Sequence, residues 1–349
     1  MNWTRNNLLI LICALLLPMV CKGLPIQERD IATLPSKIAF GSCLRLNRPS
    51  PILETLYRQH PDLWIMMGDN IYADTSSIQK LRADWQSLRG RPDFVPIWND
   101  IPLIATWDDH DFGKNDAGFR LPTKRESQRA FLDFLDAAPQ DPRRGHAGVY
   151  TSYYFGSEPK RLQILLLDTR YFRDDLNPKI GGPRKDMYLP SDKPWAGILG
   201  ETQWKWLINE LQEPAALRII VSSIQFLPVE HDFEKWGNFP VERERLLREL
   251  THANGGEILV LSGDRHVAEI SAADAELSSP LFEITSSSLN ASLNKTPSEP
   301  NRYRIGEIYP HDNFGALRID WTQTPLRITA QIIGIDGVAK REIAINGTL

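Results

Sequence analysis

Apolar residues in this chain come in short uninterrupted runs, and most of the runs stop at a polar cluster. Residues 37–40 lead into Gly41-Ser42-Cys43, residues 63–67 into Gly68-Asp69-Asn70, and residues 101–107 into Asp108-Asp109-His110-Asp111. Farther on, 162–167 ends in Asp168-Thr169-Arg170 and 219–221 in Ser222-Ser223-Ile224-Gln225. Residues 258–261 end in Ser262-Gly263-Asp264-Arg265-His266, and 281–284 in Thr285-Ser286-Ser287. Continuous apolar runs of this length predict strands buried on both faces. Between them, segments 51–60, 78–88, 124–135, 201–211 and 241–253 place apolar residues at three- and four-residue spacing and predict helices. Alternating strands and helices imply an α/β fold of sheet layers covered by helices. The tail differs. Segments 316–321 and 326–335 have no helix between them, and Asp336-Gly337 supplies a turn before Ile343, which predicts a closing antiparallel hairpin. The Pro-, Gly- and Asp-rich segment 174–200 reads as a surface excursion over the site.

The N-terminus carries a separate signal. Arg5 precedes an apolar run over 8–17, too short to span a bilayer comfortably but right for the core of a signal peptide. We expect residues 1–23 to be a signal ending at Gly23, 24–36 a lead-in, and 37–349 one catalytic domain. The protein is then exported, periplasmic or secreted, with an uncleaved N-terminal anchor as the competing reading. No later segment is long and apolar enough to cross a membrane. Cys13 and Cys21 fall within the signal, so the mature chain keeps Cys43 alone and forms no internal disulfide. The remaining composition adds little. The net charge is −4 from 40 basic and 44 acidic residues, well mixed, which gives no footprint for nucleic acid. Nothing in the sequence reports the oligomeric state.

Ligands in layered α/β proteins bind beyond the carboxyl ends of the strands. Those ends deliver Cys43, Asp69, Asp108, Asp109, His110, Asp264 and His266, with Tyr72 one short turn past Asp69. Gly-Asp after a strand is often only a turn. Four consecutive ionisable residues after an apolar strand are poor structural material, however, and Asp264-x-His266 can aim two side chains at one centre. Carboxylates packed this closely repel one another and desolvate badly, and a bound cation removes both costs. The cluster therefore reads as a metal site. Of the other histidines, His60, His146 and His252 read as solvent-exposed, whereas His231 and His311 lie in loops able to reach the cleft.

These motifs resemble those of the PhoD-like alkaline phosphatase family, within the calcineurin-like metallophosphoesterases. The resemblance rests on Phe40-Gly41-Ser42-Cys43, Gly68-Asp69-Asn70-Ile71-Tyr72-Ala73-Asp74, Trp107-Asp108-Asp109-His110-Asp111-Phe112-Gly113-x-Asn115-Asp116 and Ser262-Gly263-Asp264-Arg265-His266. Leu167-Asp168-Thr169-Arg170 and the segment around Trp236 also match. The resemblance implies a four-layer α-β-β-α sandwich with mixed sheets and hydrolysis of phosphate esters, small or polymeric. It further implies that Asp69 bridges two cations, that Cys43, Tyr72 and His266 complete a ferric iron site, and that Asp109 and Asp264 hold calcium, with zinc or manganese as alternatives. Asp108 is then a further calcium ligand or a residue that orients one. His110 with Asp111 resembles the His–acid pair that protonates a leaving alkoxide after in-line attack. Arg265 and Arg170 offer forked donors to phosphoryl oxygens or form structural ion pairs, and Asn70 and Asn115 stand where substrate contacts are expected. Two other readings belong to this pattern: a phospholipase-type enzyme acting on lipid or cell-wall diesters, and a non-catalytic metal binder. The extra β-domain that precedes the core in well-known members has no room before Cys43. Gly237-Asn238 stands where relatives often show Asp-Gly.

Overall fold

Successive side chains of a strand point to opposite faces, and here both faces are dry. In the Leu63–Met67 strand, Leu63, Ile65 and Met67 join one apolar cluster while Trp64 and Met66 join another. The same division separates Ile38 and Phe40 from Ala39, and Ile164 and Leu166 from Leu165. A strand serving two apolar layers has no polar face, which is why its sequence shows no alternation. In the computed structural model, residues 25–277 and 279–346 are described. The expected signal segment, residues 1–23, lies outside the described residues.

The strands form two large sheets. One has six strands in the order Ala339–Asn346, Arg327–Gly334, Asn313–Asp320, Lys37–Gly41, Leu63–Met67, Leu103–Thr106, the last three parallel. The other has eight. Its centre is a parallel array of Leu162–Leu166, Ala215–Ser222, Gly255–Ser262 and Leu281–Ser286. The sheets face each other across an apolar layer containing Phe40, Ile65, Ile164, Ile219 and Leu259. Helices Pro51–Arg58, Ile78–Arg89 and Lys124–Phe134 cover the outside of the first sheet through Leu53, Trp85 and Phe131. Helices Gly200–Leu211 and Pro240–Thr251 cover the outside of the second through Trp204, Leu207 and Leu250. The result is the expected four-layer α-β-β-α sandwich with mixed sheets. Among the described residues no helix is long and apolar enough to cross a membrane.

Two features differ from the sequence reading. The tail is a three-stranded meander, because Ala339–Asn346 pairs antiparallel with Arg327–Gly334, and Asn313–Asp320 docks on Lys37–Gly41. It therefore enlarges the first sheet rather than closing off as a separate hairpin. Strands Thr151–Phe155, Ala268–Ala273 and Arg304–Tyr309 fall outside the predicted elements; in the latter two, small and polar residues interrupt any apolar run.

Close approach of the two central strands of the first sheet depends on glycine. Gly315 lies across from Phe40, and a Cβ there would meet the Phe40 ring at 2.1 Å. Gly315→Ala should therefore destabilise the protein by about 1–3 kcal/mol through overpacking. Urea denaturation would show it, and an unchanged midpoint would mean that Phe40 moves aside freely.

Candidate metal centre

Parallel strands all present their carboxyl ends at one edge, and here the edges of the two sheets are tied together. The Ser287 hydroxyl lies 3.2 Å from Cys43 Sγ, Ser223 donates to Asp108 Oδ1 at 2.6 Å, and Thr106 donates to the Leu167 carbonyl at 2.9 Å. On the first sheet, Gly68 lets the Asp69 loop touch the Asp108 loop. It sits at φ +105°, and a Cβ there would lie 2.6 Å from Asp108 Cβ.

Two nests of ligand atoms share Asp69. In the first, Asp69 Oδ2 lies 3.4 Å from Cys43 Sγ and 3.1 Å from the Tyr72 hydroxyl, which is itself 2.8 Å from His266 Nε2. Thiol, phenol, imidazole and carboxylate thus converge from three loops. In the second, Asp69, Asp108, Asp109 and Asp264 each bring an oxygen within 4.8 Å of the others. His110 also offers a ring nitrogen within that distance of Asp69 and Asp109. The backbone is bent to make this possible. Cys43, Asp69, Asp264 and His266 adopt φ of 63°, 51°, 70° and 56°, and Asp74 and Asp116 are also left-handed. Such conformations are unfavourable for residues other than glycine and concentrate at functional sites.

The electrostatics leave the cluster incomplete on its own. Asp69 Oδ1, Asp108 Oδ2 and Asp109 Oδ1 are buried with no hydrogen-bond partner among the described residues, a costly state for a carboxylate. Burial first, and then neighbouring anions, push the Asp69 and Asp264 pKa values well up, and raise Asp108 to about 6 despite Arg170. Burial also pushes the Cys43 thiol up to about 11 and lowers His266 to about 3. Asp109 goes the other way: His110, Arg170 and the Asp116 N–H overcome its burial. Cations among these groups would relieve the orphaned oxygens and the mutual repulsion together. The donor sets fit them.

The remaining expected site residues divide. Asn115 and Arg265 line a cleft of about 230 Å³ in front of the cluster, beside Asp69, Asp109, His110, Asp264 and His266. His110 Nδ1 bonds Asp74 at 2.6 Å, so Asp74 replaces Asp111 as its acid partner. Asp111 is fully buried and accepts from the backbone N–H groups of Asn70, Ile71 and Asp108, pinning two loops together. Asn70 is also buried, and its amide donates to Thr106 O and Asp111 rather than facing the cleft. Arg170 is completely buried. It pairs with Asp108 and with Glu234 at 2.6 Å, the structural alternative for this residue. Neither His231 nor His311 lines the cleft. His231 is buried and His311 is exposed. His60 and His252 are exposed and His146 is half-buried.

Other residues at the cleft were not foreseen. Arg45 follows Cys43 closely, and its guanidinium lies over the Tyr72 ring at 3.9 Å. Its backbone is gripped by Asn290 and Arg91. Arg184 and Asp186 come from the 174–200 excursion, which also sends the Tyr188 hydroxyl to Asp116 at 2.5 Å. Phe233 packs under both Arg184 and Arg265, and Glu299 pairs with Arg265 at 2.7 Å. Only Asp74 and Asp116, inside motifs already singled out, carried a sequence signal.

Comparison with known proteins places this geometry. The PhoD-like phosphatase family matches residues 38–327. Alkaline phosphatase D of Bacillus subtilis (strain 168) is 24% identical over 291 residues, covering 74% of this chain and 48% of that protein. The chain thus spans about half the length of that curated relative. A solved structure of PhoD superposes with a TM-score of 0.69 at 18% identity, over 90% of this chain and 69% of that one. The purple acid phosphatase PPD1 from yellow lupin (Lupinus luteus) seeds gives 0.60 at 12% identity, over 90% and 54% of the two chains. By its motifs, its four-layer fold and this extended match, the chain belongs to the PhoD-like phosphatase family.

Proposed function

We propose that this protein is a metal-dependent phosphoesterase that prefers phosphodiesters. The observation that carries the reading is the convergence of Cys43, Tyr72, His266 and four aspartates on adjoining points, with three carboxylate oxygens left unpartnered. We further infer ferric iron at the thiol–phenol–imidazole nest and calcium at the all-oxygen nest, because thiolate and phenolate ligands suit iron and carboxylate-rich oxygen ligation suits calcium. Export through the apolar segment 8–17 belongs to the same reading. It suits a mature chain whose single cysteine, Cys43, is buried at the site.

Bound cations would supply Lewis acidity towards the phosphoryl oxygens, acidify an attacking water and offset the charge of the carboxylates. The chain's own groups do the rest. Burial alone would lower the His110 pKa, but Asp109, Asp69 and Asp74 raise it to about 11. The Asp74 carboxylate, which is not among the metal ligands, favours a proton on this ring for transfer to a leaving ester oxygen. Asp74 fixes its ring through Nδ1 and leaves Nε2 for that transfer. At the mouth, Asp186 and Glu299 neutralise Arg184 and Arg265. Arg45 alone among these three arginines has no carboxylate partner among the described residues. One uncompensated cation suits the single negative charge of a phosphodiester better than the dianion of a monoester.

Purified protein should hydrolyse bis(nitrophenyl) phosphate with a higher kcat/KM than nitrophenyl phosphate, and a chelator should abolish both activities. Activity that survives complete metal removal would overturn the reading, and an inert metal-loaded protein would make it a binder. His110→Asn should slow esters with poor leaving groups by about 10²- to 10⁴-fold and activated nitrophenyl esters far less. Asp74→Asn should show the same dependence more weakly, and equal losses on both ester types would remove His110 as proton donor. For the iron assignment, the protein should absorb visible light through a Tyr72–metal charge-transfer band that Tyr72→Phe eliminates. A colourless, iron-free and fully active preparation would exclude it.

A further inference from the structure

A second concave site lies outside the metal centre. Helix Lys124–Phe134 forms one wall of a cavity of about 390 Å³, and the loop around Arg144 to Ala147 forms the other. Arg125 and Arg129 stand one helical turn apart on that wall, both exposed. Among the described residues neither has a carboxylate partner or a side-chain hydrogen bond. That is unusual for this helix and its surroundings. Arg82 and Arg144 both pair with Asp133, Arg89 pairs with Asp136, and Lys80 pairs with Asp84. Cations that only solubilise a surface would be expected to share in this pairing, whereas those two keep their charge free towards a hollow.

The opposite wall is held rigid. The side chain of Gln128 is buried and donates to the carbonyls of Arg143, His146 and Gly148, while its own oxygen accepts from the Gly148 N–H. Arg144 is fixed by Asp133 and by the Ala137 carbonyl. His146 stacks on Tyr150 with ring centroids 4.4 Å apart. Among the described residues no acidic side chain lines the cavity. Its volume lies in the range of pockets for small organic molecules, larger than a single inorganic ion needs. Tyr171, which closes one side, directly follows the buried Arg170 that pairs with the metal-site Asp108.

We propose that this cavity is a second binding site, selective for a phosphate-bearing organic group gripped by Arg125 and Arg129. The forked guanidinium donors supply the recognition, and His146 and Ala147, half-buried on the facing wall, contact the carrier of the phosphate. The group arrives either as a free small organic phosphate or as a distant phosphate of a polymeric substrate whose scissile bond lies at the metal centre.

The test is calorimetric titration of metal-loaded protein with methylenediphosphonate, a probe that a phosphoesterase does not cleave. Wild-type protein should show two binding events. The double variant R125A/R129A should lose one, with affinity at least tenfold weaker, and Asp109→Asn should perturb only the other. R125K/R129K, which keeps the charge without the fork, should restore part of the lost event. Because both arginines are exposed and unbonded, circular dichroism and monoester turnover should be unchanged in all the arginine variants. A KM increase of about tenfold confined to long diester substrates would identify a polymer as the natural occupant. Loss of the calorimetric event with every KM unchanged would identify a free organic phosphate. Identical titrations of wild-type and R125A/R129A protein would overturn the proposal, even if phosphoesterase activity at the metal centre is established.

Discussion

Four carboxylates, Asp69, Asp108, Asp109 and Asp264, are held within reach of one another where water is scarce, and the rest of the molecule is organised around that repulsion. Like charges in such surroundings cost several kcal/mol unless countered. The protein counters them only in part. Arg170 reaches Asp108, His110 faces Asp69 and Asp109, and Arg173 and Glu234 extend the network behind them. The uneven result, with Asp109 held low while Asp69 and Asp264 are pushed up, is the signature of a site completed from outside. An arrangement meant only for stability would have paired the orphaned oxygens with protein donors.

What holds the carboxylates in place is the pair of sheets behind them. Left-handed backbone at Cys43, Asp69, Asp264 and His266 is tolerable because each residue follows a strand buried on both faces, where the register leaves no room for relaxation. Cross-sheet bonds from Ser287, Ser223 and Thr106 lock the two edges together at that level. Asp111 serves the same end. Taken as a site residue from its place after His110, it acts as a buried fastener between the Asp69 and Asp108 loops.

That contrast marks the limit of what the sequence could show. Strands buried on both faces announce themselves as apolar runs, and parallel order puts their carboxyl ends at one edge, so Cys43, Asp69, Asp109 and His266 were legible as one cluster. Their partners were not. Which of two nearby acids meets His110 is decided by a single helical turn, Asp109–Phe112, that directs Asp111 inward and leaves the ring to Asp74. Arg170 and Asn70 look like substrate contacts in one dimension, but burial gives both to the scaffold. The opposite error hid Arg45, a lone arginine in a polar loop that only the Tyr72 ring and the clamp by Asn290 distinguish. The 124–147 region gave no signal either, because pairing and its absence are properties of packing and not of spacing.

Charge accounting across the whole surface then gains a local meaning. With a net charge of −4, the protein does not attract anions at long range, and at physiological salt such fields fade within about 8 Å. Any attraction of an anion by the chain's own side chains must therefore come from the few cations left uncompensated at contact distance. Most arginines around the two hollows are matched with aspartate or glutamate, including Arg184 and Arg265 at the metal cleft and Arg82, Arg89 and Arg144 near the second cavity. The exceptions, Arg45 at one hollow and Arg125 with Arg129 at the other, are where an incoming anion meets a positive charge that no carboxylate among the described residues has already claimed.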